Sequence, residues 1–195
     1  MTTAHEIFIA QSYRDMAHVP RWVIARTHRR QSVAEHSYFV ALYARQIAIE
    51  IGYDRLEDLL TYALWHDLSE TVTGDIPGPV KRSGINAAVL SSAIEPVMED
   101  KFGEGVVSQM RESNSSAIAK IVSVADTVEE LCFLHEEQLM GNTWVTPIIR
   151  EAVDRLYKRV FALPYGSEIK ERLWRKLNDA LSTQLDRPKL LEDQV

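Results

Sequence analysis

The run Ser32-Val33-Ala34-Glu35-His36-Ser37-Tyr38-Phe39-Val40-Ala41-Leu42-Tyr43-Ala44-Arg45-Gln46-Ile47-Ala48-Ile49-Glu50-Ile51-Gly52 announces a helix at both of its ends. Ser32 stands three residues before Glu35, the spacing of a capping box. Gly52 is the residue a helix C-terminus favours, because it adopts the left-handed conformation without strain. Between them Val33, His36, Phe39, Val40, Tyr43, Ile47 and Ile51 recur at three- and four-residue steps, so one stripe faces a core.

The same period continues on either side. Ile7, Phe8, Ile9, Tyr13 and Met16 predict a first helix ending near His18-Val19-Pro20, where the proline discourages helix in the residue before it. Residues 21–31 are basic and aperiodic. Downstream, a helix is expected over 55–68, carrying Leu59, Leu60, Ala63, Leu64, Trp65 and Leu68. The breakers at 73–80 predict an ordered loop. Helices are then expected over 86–102, 116–140 (stopped by Gly141-Asn142), 147–161 and 167–185. No alternating run long enough for a strand is present. The expectation is an all-α, single-domain helical bundle over residues 1–185, with a polar tail at 186–195.

Composition narrows the function. The chain has 195 residues, 46% hydrophobic and 26% charged, enough to bury one core without staples. Twenty-eight acidic residues against 22 basic give a net charge of −6, so wrapping a nucleic-acid polymer is a poor reading. Cys132 is the single cysteine, which excludes an internal disulfide and points to a reducing, cytoplasmic setting. No apolar run approaches the roughly 20 residues that cross a bilayer, and no secretory leader is evident at the start, so no membrane partner is expected.

The informative positions are polar residues on apolar faces. His36 interrupts the stripe above, His66-Asp67 closes an apolar helix, and Asp126 interrupts Ile121-Val122-Ser123-Val124-Ala125. A buried carboxylate costs several kcal/mol unless paired or metal-bound. Each residue alone has an ordinary explanation: a hydrogen-bonded core histidine, a turn aspartate, an ion pair between Asp126 and an arginine. Two histidines and two aspartates on three converging helices form a plausible mixed nitrogen–oxygen site for one divalent transition metal.

The words Arg21-Trp22, Ser32-Val33-Ala34-Glu35-His36-Ser37, His66-Asp67-Leu68-Ser69-Glu70 and Thr73-Gly74-Asp75-Ile76-Pro77-Gly78-Pro79-Val80-Lys81 resemble, in this order, the HD-domain metal-dependent phosphohydrolases. The likeness runs from about Arg21 to Met140 and is closest to the bacterial 5′-deoxynucleotidase branch; phage dATP triphosphohydrolases share the scaffold. The resemblance implies an HD-type bundle in which His36, His66, Asp67 and Asp126 hold one divalent metal (Co, Mn or Zn, with Mg accompanying a triphosphate substrate). It implies water as the nucleophile, Glu70 as general acid or base, and Asp75 in contact with substrate or water. Arg21 and Trp22 would bind phosphate and favour deoxyribose; Lys81 is a second phosphate candidate, and Ile24 and Pro79 candidates for a base pocket. Similar proteins imply a homodimer or higher homo-oligomer in the cytoplasm, that of the host for a phage-encoded chain.

Neighbouring HD activities fit less well. Alarmone hydrolases carry Glu-Asp where this chain has Glu70-Thr71, and two-metal phosphodiesterases need paired histidines that His5, His18, His28 and His135 do not form. The expected reaction is removal of the 5′-phosphate from a deoxynucleoside monophosphate. The alternatives are release of triphosphate from a deoxynucleoside triphosphate, with the Arg26–Arg30 cluster holding the extra phosphates, and a non-enzymatic nucleotide-sensing module.

Overall fold

The computed structural model describes residues 12–82, 87–114 and 116–185. Nine helices fall within them: α1 (Val33–Ile51), α2 (Leu56–Trp65), α3 (Glu70–Thr73), α4 (Gly78–Arg82), α5 (Ala87–Phe102), α6 (Glu104–Asn114), α7 (Ala117–Leu139), α8 (Thr146–Phe161) and α9 (Ser167–Leu185). Short 3-10 turns occupy Asp15–His18 and Thr143–Val145, and no strand occurs among the described residues. None of these helices is long and apolar enough to cross a membrane.

α1 begins and ends where its sequence says. Ser32 Oγ accepts the Glu35 amide at 3.1 Å, and Gly52 takes a φ of 74° while Tyr53 N closes back on the Ala48 carbonyl at 2.8 Å. Its inner stripe packs on α2 and α7, and α7 packs in turn on α8. Val40, Ala44, Ala48, Leu59, Ile121, Val124, Leu131 and Leu134 are fully enclosed in this core. Truncating one of its leucines to alanine costs about 2–5 kcal/mol. Phe39 departs from its expected inner place and is exposed, together with Tyr38, Leu42 and Ile49 on the outer face of α1.

Three boundaries differ from the sequence reading, each for a local reason. The helix expected over 55–68 stops at Trp65, because His66 Nδ1 bonds the Ala63 carbonyl at 2.7 Å and residues 66–69 tighten into turns with three-residue closures. The loop expected at 73–80 ends in α4, which Gly78 and Pro79 open, proline being favoured in a first helical turn. A helix not expected, α6, follows α5 after Gly103; its Val107 joins Met16, Val33, Leu68, Met98 and Phe102 in a second, smaller core. The start of the first expected helix, Asn86 and the polar tail lie outside the described residues.

Candidate active site

Three elements bring the metal-ligand candidates together: α1 carries His36, the turn after α2 carries His66 and Asp67, and α7 carries Asp126. His36, His66 and Asp67 each offer a ligand atom within 4.8 Å of the others. His36 Nε2 faces Asp126 Oδ1 at 3.3 Å and Asp67 Oδ2 at 3.6 Å, and His66 Nε2 faces Asp67 Oδ2 at 3.4 Å. Both Nε2 atoms are buried and lack a hydrogen-bond partner.

The other nitrogen of each ring is committed. His66 Nδ1 bonds Ala63 O, and His36 Nδ1 bonds Glu129 Oε2. In the neutral ring, donation from Nδ1 leaves the lone pair on Nε2, which is the arrangement of a metal-ligating histidine. Two carboxylates opposite two such lone pairs suit a divalent transition metal. Burial and the Arg21 charge push the His36 pKa down, but the carboxylates of Asp126 and Glu129 outweigh them and hold it up at about 9. Burial would raise Asp126, yet His36 and Arg159 carry it well below the usual carboxylate range. The pocket is built for positive charge.

One face of α7 organises the site. At three- and four-residue steps it presents Asp126, Glu129, Phe133 and Glu137. Gln31 Nε2 donates to Glu129 Oε1 at 2.6 Å, and Trp22 Nε1 donates to Gln31 Oε1 at 3.0 Å. The Trp22 ring stacks on Phe133 with centroids 5.3 Å apart. Glu137 accepts the backbone amides of His28 (2.7 Å) and Arg29 (2.8 Å), and Asn142 Nδ2 bridges it to the Arg26 carbonyl. The aperiodic basic segment is therefore an anchored loop, closed at its base by Arg21 N to Gln31 O at 2.8 Å.

Above the ligands lies a cavity of about 690 Å³, within the usual size for a small-molecule site. Asp67 and Asp126 reach its lining, with Arg21, Trp22, Ile24, Asp75 and Pro79 among the expected residues. Arg21 Nη1 donates to Asp67 Oδ2 at 3.0 Å. Trp22 has a φ of 63°, in the left-handed region, and its amide donates to Asp75 Oδ2 at 3.1 Å. Holding a non-glycine residue there costs about 1–2 kcal/mol, which the Asp75 bond and the Phe133 stack offset.

Glu70 is buried at the start of α3, and its amide closes on the Asp67 carbonyl. It lies beyond the turns that end α2, and its charge acts on Arg21. Lys81 falls in α4, and its side chain lies outside the described residues. Arg26 stacks over the Trp144 ring at 4.4 Å and Arg29 pairs with Glu35 at 3.0 Å; neither lines the cavity.

Sequence reasoning missed the α8 wall: Ile148, Glu151, Arg155 and Arg159, with Glu130 from α7. Arg155 grips Glu130 with both carboxylate oxygens at 2.6 Å, while burial still raises the Glu130 pKa. Arg155 and Arg159 stand four residues apart on an amphipathic helix, and nothing in that pattern separates them from solvent-facing arginines. Glu129 and Glu137 did leave a signal: with Asp126 they put three acids on one face of a largely apolar helix.

A family model described as 5′-deoxynucleotidase YfbR-like matches residues 8–162. A 5′-deoxynucleotidase of Erwinia tasmaniensis is 30% identical over 152 residues, covering 71% of this chain and 76% of its own. A dATP triphosphohydrolase of Salmonella phage PMBT28 is 35% identical over 128 residues, 61% of this chain and 62% of that one. Among solved structures, the cyanophage S-2L HD phosphohydrolase DatZ, bound to dA and one catalytic Zn²⁺ ion, shares the fold with a TM-score of 0.73 at 21% identity, covering 94% of this chain and 98% of that one.

Proposed function

The chain belongs to the YfbR-like 5′-deoxynucleotidase family of HD phosphohydrolases, and from that premise we propose that it removes the 5′-phosphate of 2′-deoxynucleoside monophosphates with water as the nucleophile. The observation that carries this reading is the pair of partnerless buried Nε2 atoms facing two carboxylates at the floor of the cavity. His36, His66, Asp67 and Asp126 would hold one divalent ion, Co, Mn or Zn. Such an ion supplies Lewis acidity at the phosphoryl oxygen and lowers the pKa of water.

The chain's own residues do the rest. Arg21 receives the phosphate beside Asp67, its planar fork suited to two oxygens at once. Trp22, pinned from three sides, offers the sugar a flat wall with no room for a 2′-hydroxyl. Glu70 moves the proton, taking it from the attacking water or giving it to the leaving O5′ as the P–O5′ bond breaks. Asp75 fixes the Trp22 backbone at the cavity edge, and Lys81 adds positive charge from α4. Ile24 and Pro79 flank the base. One HD domain spans residues 1–185, and the protein works as a cytoplasmic homodimer, for which Tyr38, Leu42 and Ile49 on α1 offer an exposed apolar stripe.

Charge favours the monophosphate over the triphosphate. The lining sets Arg21, Arg155 and Arg159 against Asp67, Asp75, Asp126, Glu130 and Glu151. Among the described lining residues two negative charges remain in excess, which a divalent ion would cancel, so β- and γ-phosphates would have Lys81 alone of the residues named above to draw on. The triphosphohydrolase reading has a specific support in the phage relative. Product chromatography separates them: metal-loaded protein is given dAMP, dATP, AMP and ATP in turn. Deoxyadenosine from dAMP, with little from dATP or AMP, is expected. Intact triphosphate released from dATP overturns the monophosphate reading. Full activity of folded, metal-free His66→Ala or Asp67→Ala overturns the mechanism.

A further inference from the structure

Trp22, Gln31, Glu129 and His36 form one buried chain of hydrogen bonds, and its direction is fixed at both ends. An indole N–H can only donate, so Gln31 must present Oε1 to Trp22 and Nε2 to Glu129. A carboxylate can only accept, so Glu129 receives Gln31 on Oε1 and the His36 Nδ1 proton on Oε2. Gln31 is 1% exposed, Glu129 3% and His36 0%, so the Gln31–Glu129 and Glu129–His36 links are shielded from water. In the neutral ring His36 Nε2 is then the atom left with a lone pair, and it points at Asp126 and Asp67.

We propose that Gln31 and Glu129 are positioning residues that lock His36 in the tautomer able to ligate a metal through Nε2, with the Trp22 indole holding Gln31 in the orientation the Glu129 carboxylate requires. The cavity wall and the metal site are thus one hydrogen-bonded unit, linked across residues that are 98 positions apart in sequence. The proposal rests on the reading of His36 as a metal ligand.

The test follows from the direction of the chain. Glu129→Gln is isosteric, but its amide cannot accept from both His36 and Gln31. Turning it to accept from His36 confronts Gln31 with a donor; turning Gln31 as well confronts the indole with a donor. The usual outcome is a His36 with its proton on Nε2. Zn²⁺ affinity, measured by competition with a chelating dye, is expected to fall about 10–100-fold. Trp22→Phe alone keeps the polarity and is expected to bind Zn²⁺ within about threefold of the parent. In Trp22→Phe/Glu129→Gln both amides are free to turn over, so the double variant should recover most of the lost affinity.

Glu129→Gln binding Zn²⁺ within threefold of the parent, or a double variant no tighter than Glu129→Gln, overturns the proposal. An independent reading uses the unmodified, Zn²⁺-loaded protein: nitrogen-15 spectra should show an exchange-protected proton on His36 Nδ1, and Zn²⁺ bound through Nδ1 instead overturns it even where a variant fails to fold. His36→Ala separates the two ideas. If it keeps full Zn²⁺ affinity, the ligand reading fails; if it loses Zn²⁺ while Glu129→Gln does not, the positioning proposal fails alone.

Discussion

Arg159 donates through Nη1 to Asp126 Oδ2 at 2.9 Å, and the same nitrogen reaches the Ser123 carbonyl at 2.7 Å. The pair the sequence offered as an alternative to metal binding is thus compatible with it: one oxygen of Asp126 is held by α8 and the other, Oδ1, is turned to His36. Arg159→Met has two opposed effects. It removes a cation, which favours a bound metal, and it releases Asp126 from its orientation, which disfavours one. With both partners partly exposed, the charge effect is about 1 kcal/mol at most, whereas loss of an orienting partner typically costs 10–100-fold in metal affinity. A net loss of about tenfold is expected in a Zn²⁺ or Mn²⁺ titration, with helical content unchanged. Tighter binding would show that charge wins.

Glu137 holds its loop only while ionised. Its oxygens accept two backbone amides and Asn142, and burial, which would raise its pKa, is outweighed by those donors so that it lies below the ordinary glutamate value. A depressed carboxylate stabilises the fold above its unfolded pKa and loses that contribution as pH falls through the folded one. Glu137→Gln should therefore destabilise the protein by about 1–3 kcal/mol near neutral pH, and the gap to the parent should close as pH falls below the ordinary glutamate value and through the lower one Glu137 has in the fold. Denaturant melts across that range check it; a gap independent of pH would assign the loss to packing instead.

The arginine cluster should prove a bystander to the chemistry. Arg26 is occupied by Trp144 and Arg29 by Glu35 and Glu136, away from the cavity lining. Arg26→Ala/Arg29→Ala is expected to change kcat/KM for dAMP by less than about threefold, while Arg21→Ala lowers it by at least about a hundredfold. A large loss in the double variant, greater for dATP than for dAMP, would return the cluster to phosphate binding.

What the sequence made legible follows a physical divide. α1 was readable to the residue because Ser32, Glu35 and Gly52 act on their own neighbours, and His36 stood out because a polar group on an apolar stripe is a local anomaly. The end of α2 was not readable: His66 breaks the helix by capturing Ala63 O, a choice that depends on its ring being turned towards the metal site. α6 was missed because Gly105, the serines and the charges dilute its short apolar face. Gln31 was missed for a different reason. Nothing near it in sequence is unusual, and its role exists only once α7 lies alongside the loop. Arg155 and Arg159 likewise gain meaning only from Glu130 and Asp126 across the helix pair.

The face of α7 that carries Asp126, Glu129, Phe133 and Glu137 spans about 16 Å at 1.5 Å per residue. Along it stand, in order, the ligand, the group that orients the other ligand, the floor of the tryptophan, and the anchor of the loop. These four tasks share one rotational phase. Losing a single residue between Glu129 and Phe133 would turn the loop-holding half about 100° away from the ligand-holding half, though every residue named here remained in the chain. The turns beyond its ends can lengthen without moving either half, so a change of length inside the helix is the one that severs the cavity wall from the ligand.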